Sequence, residues 1–124
     1  MWIDTIERIQ ITSSPDLKEE MYFFYSTILG LTKLPKSETL QPNGGTWDSL
    51  SDIQLHLSIE PDLKNSESRR HICFRVGHLS RFQQHLESHN INIIPNHQPI
   101  SELERFYLRD PGGNRIEIAA PKVN

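Results

Sequence analysis

Arg8-Ile9-Gln10-Ile11 and His71-Ile72-Cys73-Phe74 show the same alternation of polar and apolar residues, and they stand about half the chain apart. Leu55-His56-Leu57 and Ile116-Glu117-Ile118 form a second pair with nearly the same spacing. Alternation with a period of two marks a strand with one apolar face. The elements between these landmarks also recur in order. Residues 6–13 read as a β-branched-rich strand. Ser14-Pro15-Asp16 opens a helix, with Ser as the cap, Pro in the first position, and Asp16, Glu19 and Glu20 near the positive end. Leu17, Met21, Phe24 and Ile28 fall on one helical face, and Gly30 is placed to end it. Strands follow at residues 31–36, 46–50 and 53–59, the first two connected through Gln41-Pro42-Asn43-Gly44-Gly45. In the second copy, residues 70–76 read as a strand and Leu79, Phe82 and Leu86 mark a helix face. Strands at 91–94, 105–109 and 115–119 complete it, with Asp110-Pro111-Gly112-Gly113-Asn114 as the turn between the last two. The pattern predicts an α+β fold of two βαβββ modules, residues 5–60 and 70–120, joined by a polar linker at 61–69 within one domain spanning 1–124.

Composition narrows the classes of function. At 124 residues the chain has the length of one ordinary domain. Its 13 basic and 16 acidic residues leave a net charge of −3, which argues against nucleic acid as the main partner, since phosphate binding needs a basic patch. No apolar run has the length of a membrane span, and the charged start Met1-Trp2-Ile3-Asp4-Thr5-Ile6-Glu7-Arg8 lacks the apolar stretch of a signal peptide. Cys73 is the only cysteine, which excludes an intrachain disulfide and a multi-cysteine zinc site. The expectation is a cytoplasmic protein that binds neither nucleic acid nor membrane.

Strand alternation sorts the polar residues onto a second face. Gln54, His56 and Ser58 oppose Ile53, Leu55, Leu57 and Ile59; His71, Cys73 and Arg75 oppose Ile72, Phe74 and Val76. Arg8 and Gln10, Arg105 and Tyr107, and Arg115 and Glu117 take the same side of their strands. Such a face is often simply solvated in an antiparallel sheet. The repeat makes a second reading worth carrying. It relates Arg8 to His71 and His56 to Glu117, and a pseudo-twofold would bring the four positions together. Three of them are metal-ligand types, two imidazoles and a carboxylate, a set suited to Zn, Ni, Fe, Co or Mn.

The sequence resembles the vicinal oxygen chelate superfamily, which includes glyoxalase I, bleomycin- and fosfomycin-resistance proteins and extradiol dioxygenases. The resemblance rests on Phe24-Tyr25 with Leu29-Gly30-Leu31, on Leu55-His56-Leu57 and His71-Ile72, and above all on the run from Arg105 through Asp110-Pro111-Gly112-Gly113-Asn114 to Glu117. Gly44-Gly45-Thr46-Trp47 before the His-Leu pair is similar to single-domain glyoxalase-like members. The resemblance implies paired βαβββ modules in a cup-shaped sheet with helices outside, and metal ligands from the first and last strand of each module. Carried onto this chain, those positions are Arg8, His56, His71 and Glu117. Arg8 departs from the pattern, because a guanidinium stays protonated and cannot coordinate a cation. Either Arg8 turns away and a metal on His56, His71 and Glu117 keeps open positions, or the site holds no metal and Arg8 pairs with Glu117.

The first alternative implies an enzyme that acts on a small oxygenated molecule by isomerase, lyase or dioxygenase chemistry. Glu117, Arg8 and Tyr107 would be its catalytic residues, with Arg8 holding an anionic group and Tyr107 contacting substrate. The second implies a metal-free protein that binds or sequesters a small molecule, with anions the ligands to search, as bleomycin-resistance members do. The resemblance also implies a homodimer. Trp47 reads as core or pocket lining, Cys73 as unactivated, and His78, His85, His89 and His97 as surface residues.

Overall fold

A computed structural model of the chain describes residues 1–35, 45–62, 64–96, 98, 100 and 102–122. The expected connection at 41–44, the strand end at Lys36 and the surface residue His97 lie outside the described residues. The chain divides into two compact units, Met1–Lys64 and Asn65–Asn124.

The first unit contains β1 (Arg8–Ser13), a 3-10 turn (Pro15–Leu17), α1 (Lys18–Phe23), a π-helical turn (Phe24–Ile28), β2 (Thr32–Leu34), β3 (Thr46–Leu50) and β4 (Ile53–Ile59). Its sheet runs β1-β4-β3-β2, with β1 and β4 parallel and the other pairs antiparallel. The second unit repeats this plan with β5 (His71–Arg75), α2 (Leu79–Ser88), β6 (Ile94–Pro95), β7 (Leu103–Arg109) and β8 (Arg115–Pro121), in the order β5-β8-β7-β6. The fold is therefore α+β, built from two βαβββ modules. The parallel pairs carry the repeat into register: Arg8 stands opposite Gln54 and Gln10 opposite His56, while His71 stands opposite Arg115 and Cys73 opposite Glu117. In each unit the first and last strands lie side by side, and the helix packs on the last strand, α1 on β4 and α2 on β8.

The helix in the first unit differs from the single helix its periodicity predicts. Met21, Phe24, Tyr25 and Ile28 form the buried stripe, at the i, i+3, i+4, i+7 spacing of one face. Pro15 opens the segment as a 3-10 turn, and the Ser14 side chain makes no capping bond; its carbonyl accepts from the Leu17 N–H at 3.1 Å. The last turn widens, with Leu29 donating to the Phe24 carbonyl and Leu31 to that of Tyr25. Gly30 ends it at a φ of +81°, as its position in the sequence implied.

In the second unit β6 begins three residues later than the apolar run 91–94 predicts. Asn90 takes the left-handed conformation and Ile91 donates back to the Leu86 carbonyl, so the start of that run serves as the exit of α2. The turn between β7 and β8 forms as read. Asp110 accepts the Asn114 backbone N–H and its side-chain amide, both at 2.9 Å, and Gly113 holds a φ of +87°.

The polar stretch read as linker is tied down at its far end. Residues Asn65–Glu67 form a 3-10 turn, and the buried Asn65 donates to the Gly112 carbonyl at 3.1 Å. Arg109 aims one guanidinium nitrogen at three carbonyls, those of Asn65, Ser68 and Gly113, at 3.1, 2.9 and 3.0 Å. A planar cation that satisfies three backbone acceptors locks this turn to the hairpin. Replacing Arg109 with Met should therefore cost about 2–3 kcal/mol in urea unfolding, because a charged donor is lost and three acceptors are left. A loss below about 0.5 kcal/mol, the size of an ordinary surface substitution, would refute the lock.

Candidate functional site

Three strands of the second unit set six polar side chains on one face of the sheet: His71 and Cys73 from β5, Arg105 and Tyr107 from β7, Arg115 and Glu117 from β8. Registration puts Cys73 and Tyr107 directly beside Glu117, one on each flanking strand. Glu117 is the centre of this group and is only 6% exposed. The bland alternative of a solvated face is not what β8 shows, since residues 116–120 are all buried. As an interior strand it is flanked by β5 and β7, and its polar side is covered by the side chains of those neighbours.

Each oxygen of Glu117 has partners. Oε1 lies 3.1 Å from Nε2 of His71, and Oε2 lies 3.4 Å from Nη1 of Arg105. The Cys73 thiol and the Tyr107 hydroxyl also hydrogen-bond to it. Burial alone pushes the Glu117 pKa up. The hydrogen bond and charge of Arg105, helped by Cys73 and Tyr107, outweigh that and hold it below the ordinary glutamate value. Arg105 also donates to the Tyr107 oxygen at 3.3 Å and to the Gln98 carbonyl at 2.9 Å. Among the described residues, its Nε is the one buried side-chain polar atom with no partner. The Arg115 guanidinium sits 4.0 Å from the centre of the Tyr107 ring, and the His71 ring meets that of Tyr107 edge-on at 5.5 Å. Two guanidinium groups against one carboxylate give this face a cationic surplus.

His71 is positioned from both sides. Its Nδ1 lies 3.0 Å from the Arg69 carbonyl while its Nε2 faces Glu117. A carbonyl oxygen only accepts, so Nδ1 donates to it, and Nε2 can meet the carboxylate either by carrying a second proton or by sharing a metal ion with it.

In the first unit His56 is 8% exposed and lies flat against Trp47, with ring centroids 4.6 Å apart and planes 9° from parallel. The two residues are cross-strand neighbours on β3 and β4. The His56 Nε2 lies 2.9 Å from Oε1 of Gln54. Arg8 and Gln10 are exposed on β1. Of the residues expected at the site, His71, Glu117 and Tyr107 are brought together, while His56 stands in its own stack with Trp47. Among the described residues, no group of three or more His, Cys, Asp or Glu side chains is placed to hold a metal ion.

The residue that sequence reasoning undervalued is Arg105. Alternation put it on the face of Tyr107, but Arg8 was offered as the partner of Glu117, and the guanidinium found on that carboxylate is Arg105. The signal was the repeated i, i+2 placement of Arg105 and Tyr107 on a strand adjoining Glu117. The pairing itself depends on side-chain reach across β7 and β8, which no spacing encodes.

Cys73 reports on this environment. Desolvation first, then the charge of Glu117 and the S–H bond to it, push its thiol up to about 11 against the opposing pull of Arg105. At pH 8 its thiolate fraction would be roughly a hundredfold below that of an unhindered cysteine. Iodoacetamide should alkylate the native protein about that much more slowly than it alkylates glutathione, and Glu117→Gln should speed the reaction several-fold. Equal rates in both proteins would contradict the Cys73–Glu117 contact. Because the Glu117 pKa is lowered on folding, its contribution to stability is present above the unfolded value near 4.3 and is lost as pH falls through the folded value. The acid limb of a stability–pH curve should therefore flatten in Glu117→Gln, and an unchanged limb would rule that contribution out.

Comparison with known proteins agrees with this fold. The sequence profile of the Glyoxalase/Bleomycin resistance protein/Dioxygenase superfamily matches residues 15–118. A protein of Bacillus anthracis assigned to the glyoxalase family is 31% identical, with 98% of each chain covered and a TM-score of 0.89. A glyoxalase/dioxygenase from Nostoc punctiforme is 25% identical over 96% of this chain and 92% of its own, with a TM-score of 0.77. The antibiotic-binding protein TnmS3 from Streptomyces sp. CB03234 shares the fold at 17% identity, covering 98% and 99% of the two chains with a TM-score of 0.77. No curated protein matches the sequence. The length of the profile match and the Bacillus anthracis relative together place the chain in the Glyoxalase/Bleomycin resistance protein/Dioxygenase superfamily.

Proposed function

We propose that the chain is a divalent-metal-dependent enzyme that acts on a small oxygenated, anionic molecule, with His71 and Glu117 as metal ligands. The observation that carries this reading is the 3.1 Å approach of the His71 Nε2 to Oε1 of Glu117 while Nδ1 is held on the Arg69 carbonyl. Nε2 and the carboxylate oxygen can meet through a shared proton or, with Nε2 unprotonated, as two ligands of one metal ion. The separation is compatible with two ligands each about 2.0–2.2 Å from a shared first-row ion. The donor types, imidazole nitrogen and carboxylate oxygen, suit Zn, Ni, Fe, Co or Mn. A carbonyl on the far nitrogen is the second contact that usually fixes the tautomer of a ligating histidine.

A divalent ion bound there would supply Lewis-acid polarisation of a substrate oxygen. The chain's own residues account for the rest. Arg105 and Arg115 make the face favourable for a carboxylate or phosphate group, and the orphaned Nε of Arg105 offers a donor for it. The Tyr107 hydroxyl accepts from Arg105 and hydrogen-bonds to Glu117, so it would donate to a developing oxyanion by giving up the carboxylate. Arg105 keeps Glu117 ionised, so the carboxylate is ready either to ligate or to accept a proton.

A second reading is favoured by the Arg105 contact itself. Arg105, Cys73 and Tyr107 already supply donors to Glu117, so its charge can be balanced without an ion. On that reading the protein binds or sequesters a small anion without metal. The antibiotic-binding relative TnmS3 shows that the fold accommodates binding proteins.

Elemental analysis of the intact protein separates the two. It would be run as isolated and after loading with Zn, Ni, Mn or Fe(II) and desalting. The enzyme reading expects about one ion per chain, with retention falling at least tenfold in both His71→Ala and Glu117→Gln. Undiminished retention in those variants would remove His71 and Glu117 as ligands. No retention under any loading would leave the metal-free reading standing.

A further inference from the structure

The second helix carries a pair of histidines that the site on the sheet does not use. His85 and His89 are one turn apart on α2 and its cap, both exposed, with ring centroids 5.0 Å apart and planes at 70°. Residues at i and i+4 share a helix face with their Cβ atoms about 5–6 Å apart. Two imidazoles that bind one ion through nitrogens about 2.1 Å away place their ring centres roughly 4.5–5.5 Å apart when the ligand angle lies between a right angle and the tetrahedral value. The observed separation of 5.0 Å falls inside that window. The Phe82 ring stacks at 6.0 Å and 29° on His85 from the preceding turn and limits its swing.

The surroundings favour a cation at this end of the helix. His89 is the C-cap residue, so the pair spans the last turn, where carbonyl groups point outward and the helix dipole is negative. Arg81 stands one turn earlier on the same stripe and opposes any cation, which restricts the choice to ions that imidazole holds strongly. Among divalent first-row ions these are copper(II) and then nickel(II).

We propose that His85 and His89 together form a surface site for a copper(II) or nickel(II) ion on the C-terminal turn of α2. Two protein ligands leave the remaining positions to water, so the ion exchanges freely with solution. The site is separate from the residues proposed to act in catalysis and does not rest on that assignment.

The test is an amide NMR titration of the intact, isotope-labelled protein with copper(II) sulfate below one equivalent. The expected result is selective broadening of amide signals from about residue 82 to residue 91. Either His85→Ala or His89→Ala should weaken copper binding at this helix at least tenfold and keep those signals sharp at the same copper concentration. A variant combining His89→Ala with Asn90→His keeps two imidazoles but destroys their one-turn spacing, and it should behave like the single substitutions. All three altered positions are exposed, and histidine tolerates the left-handed conformation of Asn90, so all three variants should retain the native spectrum elsewhere. Helix signals that stay sharp in the unaltered protein, or broadening that persists in both single variants, would overturn the proposal. So would broadening confined to β5 and β8.

Discussion

A carboxylate placed in the interior strand of a sheet has to be surrounded by donors, because an unpaired buried charge costs several kcal/mol. Glu117 imposes that requirement on every strand of its unit except β6. β5 must bring a thiol and an imidazole, β7 must bring a hydroxyl and a guanidinium, and the register between them must be held to the residue. A one-residue slip of either neighbour would turn those donors to the opposite side of the sheet. The polar face is therefore a structural constraint and a chemical resource at once. Removing the negative charge would release Arg105, relax His71 and lower the barrier to ionising Cys73, since all three are held by the same two oxygens.

The parallel pairing of first and last strands makes this possible in both units. Parallel neighbours need a long crossover, which the helix and two further strands of each module provide. That crossover leaves the last strand interior, so β4 and β8 each have neighbours on both edges. Residues 55–57 and 116–120 on these two strands are buried without regard to polarity, the helix packing on each strand and side chains of the neighbouring strands covering them. His56 and Glu117 are the polar residues caught at those positions. One is accommodated by an aromatic stack and an amide, the other by ions and hydroxyl.

Much of this is legible in the sequence. Period-two alternation identified the strands and the face of every polar residue on them, because side-chain direction in a strand follows from backbone geometry alone. Asp110 to Asn114 and Gly30 were readable for a similar reason: left-handed glycine and side-chain-to-backbone bonds are local. What was not legible depends on reach or on competition between local preferences. Arg105 and Arg109 look alike in sequence, both arginines on β7. One neutralises Glu117 and the other holds three carbonyls of a turn more than forty residues away. The π-helical turn at Phe24–Ile28 replaces ordinary helix to reach Gly30, and no propensity scale distinguishes it. The start of β6 was lost to the helix exit because Asn90, not a glycine, took the left-handed position.

The repeat also shows where the two units have diverged. At the position of Glu117 the first unit has His56, and at the position of His71 it has Arg8. There an imidazole stacked on an indole takes the place of the carboxylate, and β3 brings Trp47 beside it where β7 brings Tyr107 beside Glu117. Arg8, with no carboxylate in register beside it, stays exposed. The guanidinium groups, the ionised carboxylate and the doubly held imidazole gather instead in the second unit. A pseudo-symmetric fold can thus place its chemistry asymmetrically: the backbone repeats the geometry, and the charge of one residue on the central strand decides which copy of it must be filled with partners.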